Sequence, residues 1–194
     1  MYELPTSVCV NDKEFQIRNN GDFRMVLDCF NALGDEELGE DYRVLASLII
    51  FYNELNSLED CEKYADYLEE LTTKMYWFFN CGQKESPGAQ TSKILVDWDS
   101  DSQIICAAVN NVANVEIRAL SYLHWWTFMG YYLSIGESVL ATVVSIRNKI
   151  VTHQKLEKWE KEFKKDNPEY FIWRSSSVDD REAEKLIKEL WNKT

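Results

Sequence analysis

Apolar residues recur along this chain in two rhythms. From Tyr2 to Arg18 the spacing is two: Val8 and Val10, then Phe15 and Ile17, set about Asn11-Asp12-Lys13. That alternation predicts two short strands joined by a turn, a β-hairpin over 2–18. After Asn19-Asn20-Gly21-Asp22, which interrupts the pattern and offers helix caps, the period becomes helical: Phe23, Val26, Leu27 and Phe30 share one face. The first helix should end near Leu33, where Gly34 stops it. A second is read from Val44, Leu45, Leu48, Ile49 and Tyr52, with Glu36, Glu37, Glu40 and Asp41 at or before its positive end. A third, longer one is read from Cys61, Tyr64, Ala65, Leu68, Leu71, Thr72 and Met75, closing in Tyr76-Trp-Phe-Phe79 before Asn80-Cys-Gly82.

Gln83 to Lys93, centred on Ser86-Pro-Gly88, consists of turn formers and predicts a loop. Asp97, Asp99 and Asp101 then precede Ile104, Ile105, Ala108, Val109 and Val112, an acid-capped fourth helix. The stretch Ala119 to Gly136 holds Trp125, Trp126 and several other aromatics and carries no acidic or basic side chain. A helix apolar on every face belongs inside a core, so this stretch is expected to form the fifth helix and the axis on which the others pack. Ser134-Ile-Gly-Glu137 has the form of a capping box opening a helix with Val139, Leu140, Val143 and Val144 on one face. Lys155 to Lys165 is highly charged, with only Leu156, Trp159 and Phe163 to form a narrow buried stripe. Val178 to Trp191, acidic early and basic late, predicts a last helix. The sum is a mainly α fold: one compact multi-helix domain over 1–165 with a small N-terminal β-hairpin, and a helical extension over 166–194 that can stand apart from it.

Charge and composition narrow the function. The 194 residues are 45% hydrophobic, enough for a substantial core, and carry 33 acidic against 21 basic side chains for a net charge of -12. That balance opposes contact with phosphate backbones or anionic lipid, so neither nucleic acid nor membrane is expected as a partner. Eighteen uncharged residues reach the lower limit for a membrane span, but the aromatics are spread along the stretch, and Ser121, His124, Thr127 and Gly130 dilute it. The cysteines Cys9, Cys29, Cys61, Cys81 and Cys106 are odd in number and widely spaced, which fits a reducing compartment. With no export signal visible at Met1-Tyr-Glu-Leu-Pro5, the protein is expected to be cytoplasmic.

The chemical motifs are thin. Asp97-Trp-Asp-Ser-Asp101 imitates the start of a calcium loop, but Ser102 and Ala108 stand where an EF-hand needs Gly and Glu, so a solvated helix cap is expected. His124 has no second ligand at a metal spacing and reads as a core histidine satisfied by a backbone carbonyl. Arg147-Asn-Lys-Ile-Val-Thr-His153 resembles the Arg-x4-6-His motif of HEPN ribonucleases. The default for Arg147 and His153 is solvated side chains at a helix end. No nucleophile elbow or phosphate loop is present, so no enzyme, cofactor or metal is expected.

Five motifs in order carry a resemblance. Tyr2-Glu-Leu-Pro-Thr6, Asp22-Phe-Arg24, Trp77-Phe-Phe-Asn-Cys-Gly82, Asp97-Trp-Asp-Ser-Asp101 leading into Ile104-Ile-Cys-Ala-Ala108, and Leu123-His-Trp-Trp-Thr-Phe128 resemble the bacteriophage gene product 15 family of phages and prophages of Gram-positive hosts. The likeness runs from the start to about Phe163, and Asn167 to Thr194 departs from it. The resemblance implies no catalytic residues. It implies a gene in the tail module ahead of the tape-measure gene, and hence a tail assembly chaperone, in the host cytoplasm, acting on the tape-measure protein and on tail-tube subunits. The alternatives are another structural or adaptor component of the tail or head-tail junction, or a HEPN-like ribonuclease. A client should meet the thinly apolar carboxyl third, at Trp159, Phe163, Trp173 and Trp191, and self-association is left open.

Overall fold

The computed structural model describes residues 3–83 and 94–173. All but the first residue of the loop expected over Gln83–Lys93, and the whole helix expected over Val178–Trp191, lie outside them. The fold is mainly α, with a two-stranded antiparallel sheet at the amino end. The chain forms two compact units: Met1–Glu85 with Val109–Ser134, and Ser86–Ala108 with Ile135–Thr194.

The first unit opens with β1 (Ser7–Val10) and β2 (Lys13–Gln16), paired so that Val8 faces Phe15. The turn residues Asn11 and Asp12 take φ of 50° and 60°, the left-handed pair that a two-residue hairpin needs for its twist to match that of the strands. Val8, Val10, Phe15 and Ile17 are all buried, as their spacing predicts. Asn19, Asn20 and Gly21 then run consecutively left-handed, residue types that tolerate that region at low cost, and turn the chain into α1 (Phe23–Leu33). Helix α1 packs on α2 (Glu40–Phe51), where Ser47 Oγ donates to Cys29 O at 3.2 Å, and Phe23 at the start of α1 stacks on Phe128 at 4.8 Å. Arg18 closes the far end of α2, its guanidinium donating to the carbonyls of Ile49, Ile50, Tyr52 and Leu55 at 2.7 to 3.2 Å. Those are orphan acceptors of a helix terminus and its following turn, at the negative end of the dipole.

The expected third helix is broken into α3 (Leu58–Lys63), a 3-10 turn Ala65–Tyr67 and α4 (Leu68–Phe79). Tightening the chain there brings both Tyr64 and Tyr67 onto Phe15, at 5.6 Å each, with the Lys13 ammonium over Tyr64 at 3.9 Å. The two tyrosine rings also meet each other edge to face at 6.1 Å, so the broken turn is held by a cluster of three aromatics.

The central aromatic stretch departs most from expectation. Only Trp125–Leu133 is helical (α6), preceded by a 3-10 turn Ile117–Ala119. Leu123, His124, Trp125 and Phe128 are buried, but Tyr122 is 44% and Leu133 70% exposed. The stretch is therefore not an all-round buried axis: within α6 only Trp125 and Phe128 are fully buried, and Gly130 and Leu133 face solvent.

The second unit contains the start of α5 (Ser102–Ala113), then α7 (Val139–Val151), α8 (Lys158–Asp166) and a 3-10 turn Pro168–Phe171. The capping box expected at Ser134–Glu137 is not the start of α7. Ser134 instead follows α6 and donates its hydroxyl to Gly130 O, while Ser138 caps α7, its Oγ accepting from Ala141 N–H at 3.1 Å. The buried stripe of α8 differs too: Leu156, Glu160 and Phe163 turn inward and Trp159 outward. Glu160 can be buried because it accepts from Lys149 Nζ at 2.6 Å and from the Glu157 N–H at 2.7 Å. No helix among the described residues is long and apolar enough to cross a membrane.

Candidate functional site

Four of the sequence motifs meet at the amino end of α6. Asp22, 6% exposed, caps α1 by accepting from Arg24 N–H at 3.0 Å, and its other oxygen accepts from Leu123 N–H at 2.9 Å. Arg24 returns to the same carboxylate and reaches Leu120 O at 2.7 Å, so one Asp-Arg pair ties α1 to the turn before α6. His124 caps α6: its Nδ1 accepts from Trp126 N–H at 3.0 Å, which leaves the ring proton on Nε2, 3.1 Å from Pro5 O. Burial pushes the His124 pKa below its ordinary value, against the weaker opposing pulls of the Pro5 carbonyl and Asp22. The expectation of a core histidine bound to a backbone carbonyl is met by Pro5, with a helix cap added.

The two tryptophans act as a pair. Trp125 and Trp126 each donate an indole N–H at 2.9 Å, to Phe79 O and Phe78 O respectively. These are the last carbonyls of α4, which no further helical turn can satisfy. The remaining end is closed by Cys81 N–H to Phe78 O and Gly82 N–H to Trp77 O, with Cys81 left-handed at φ 53°. Gly82 lies beneath Trp126, where a Cβ would sit 3.0 Å from the ring. Gly21 is confined likewise, a Cβ there falling 2.6 Å from Phe78. The junction is thus a structural knot of mutually capped termini.

The second constellation lies in the other unit and joins two motifs that look unrelated in sequence. Arg147 and Asp101 are 0% and 2% exposed and form a bidentate pair, Nη2 to Oδ1 at 2.8 Å and Nη1 to Oδ2. Nε and Nη2 also donate to Tyr170 O and Nη1 to Leu95 O, so all five N–H groups of the guanidinium are engaged. Trp173 stacks on its plane at 4.6 Å and fixes its own N–H on Ile94 O at 2.9 Å. This corrects the expectation of a solvated Arg147 and of wholly solvated acids at 97–101. Asp97 does act as a turn cap, accepting from Asp99 and Ser100 N–H, but Asp101 is the buried counter-ion. A guanidinium without a free donor cannot hold a phosphate, and His153 is exposed at a left-handed position after α7. Among the described residues no three His, Cys, Asp or Glu side chains cluster as a metal site.

A family model described as bacteriophage Gp15 protein matches residues 1–171. The chain belongs to that family. No curated protein and no solved structure matches it. The Gp15 match reaches beyond Phe163, through the 3-10 turn whose Tyr170 carbonyl Arg147 holds, so the strap over the ion pair is part of the family region. Of the four residues expected to face a client in this Gp15 protein, Trp159 is 55% exposed. Phe163 is half-buried with its ring against Phe171, Trp173 is engaged by Arg147 and Ile94, and Trp191 lies outside the described residues.

Sequence reasoning missed Arg18, Arg24, Asp101 and Arg147 as organising residues. For Arg147 a signal was present: it stands four residues after Val143 and seven after Leu140, on the buried face of α7. A cation in an apolar register demands a counter-ion, and Asp101 stands three residues before buried Ile104.

Proposed function

We propose that this protein is a non-enzymatic tail assembly factor, a chaperone that coats the tape-measure protein in the host cytoplasm and brings tail-tube subunits to it. Family membership over residues 1–171 carries the reading, with the tail-module place that the resemblance implies. The charge of the chain suits such a role. At -12 a complex with an apolar client stays dispersed, while exposed Leu133 and Tyr122 offer apolar contact. The fully engaged guanidinium of Arg147 gives the ribonuclease alternative no support.

Co-expression with the tape-measure protein tests the proposal. The client should move from the pellet to the soluble fraction and co-purify with this chain. A client equally insoluble with and without it defeats the chaperone reading and leaves the adaptor role at the tail or head-tail junction.

A further inference from the structure

We infer that this chain associates with itself head to tail, the α8 region of one copy docking on the acidic entry to α2 of the next. The two surfaces differ in charge and agree in exposed apolar anchors. Residues 155–165 hold five lysines and three glutamates, and one of the three, Glu160, is buried against Lys149. What the surface presents is Lys155, Lys158, Lys161, Lys164 and Lys165 against Glu157, Glu162 and Asp166, around a Trp159 ring that is more than half exposed. This is a positive patch on a chain of net charge -12. The complementary surface is Asp35 to Asp41, five carboxylates with Arg43 alongside, and with Leu38 36% and Tyr42 58% exposed beside them. It is firmly shaped: Asp35 accepts from Glu37 N–H at 2.9 Å and Arg43 Nε donates to Leu38 O at 2.9 Å.

Charge selects the partner and sets unlike surfaces against each other. Two copies of an acidic protein repel over most of their surface, so a second copy can approach closely where one side is positive. A two-fold contact of α8 with α8 would set lysine against lysine, and a contact of one acidic entry with another would set carboxylate against carboxylate. A heterologous contact removes both conflicts, and repeated it generates a ring or an open row of copies. Trp159 then fills the role of an aromatic anchor against Leu38 and Tyr42, rimmed by opposite charges. The inference stands without the chaperone reading, because it concerns the chain alone.

Sedimentation velocity on the purified full chain, from low micromolar to several hundred micromolar at low salt, reads the association directly. Concentration-dependent species above the monomer are expected, weakening as salt rises. Trp159→Ala, the pair Lys155→Glu with Lys158→Glu, and the pair Glu37→Lys with Glu40→Lys should each weaken association about tenfold or more while the thermal midpoint holds. Mixing the two charge-reversed proteins is the decisive arm, since each surface then meets an opposite charge again and assembly should return. A chain that stays monomeric throughout, an association that none of the three changes affects, or a mixture that fails to reassemble overturns the inference. A fixed dimer independent of salt points to an apolar two-fold interface and overturns it as well.

Discussion

Replacing Arg147 with methionine is the sharpest probe of the second unit. The substitution keeps a long apolar stem and deletes the charge. It leaves the Asp101 carboxylate buried and uncompensated, and removes every guanidinium donor that reaches Leu95 O and Tyr170 O. Breaking one side of a buried pair costs about 3–5 kcal/mol, a large part of the stability of a domain. Asp101→Leu should lose a similar amount, because the guanidinium then keeps its charge at a site with no exposure. The double variant Arg147→Met with Asp101→Leu removes both charges, so its loss should fall short of the sum of the singles by about 2 kcal/mol or more. Equilibrium urea unfolding followed by far-ultraviolet circular dichroism measures all of these. The effect should also resist salt, since both side chains are shielded from solvent. A single-variant loss under about 1 kcal/mol, or strict additivity in the double variant, would show that the pair is no keystone.

Two further outcomes follow from local geometry. Ser138→Ala should cost about 1 kcal/mol through loss of the α7 cap, whereas Ser134→Ala should stay within about 0.5 kcal/mol; the reverse order in thermal melts would restore the capping box to Ser134. For His124 the folded-state pKa lies below the ordinary 6.5, so on acidification the unfolded chain takes up a proton before the folded one does. Its contribution is therefore fully present above about 6.5 and is lost as pH falls through the depressed folded value. The melting temperature of the wild type should drop more steeply between about pH 7 and 5 than that of His124→Asn, which can cap without titrating, and parallel curves would assign the acid sensitivity elsewhere.

Much of the local structure was written in the order of residues. The hairpin followed from Val8, Val10, Phe15 and Ile17 around Asn11-Asp12, and α1 ended at Leu33 before Gly34, because strand alternation, helical period and termination are short-range properties. The family, too, was legible from five motifs read in order. Tertiary structure decided where local rules compete or where distant parts meet. Tyr64 and Tyr67 broke a helix that their own period favours, since Phe15, about fifty residues earlier, offers both rings a partner. Ser134 has the capping-box spacing in sequence, yet in the fold its hydroxyl turns back to Gly130 O and Ser138 holds the cap. The stretch from Ala119 to Gly136 records how apolar its side chains are but not how many neighbours surround them, so a helix expected on the inside presents Leu133 to solvent. The pairing of Asp101 with Arg147 spans 46 positions, and no spacing rule reaches that far. Burial of charge and capping of helix ends are satisfied by whatever group the fold delivers, which is why the chain fixes its elements locally and its keystones only once folded.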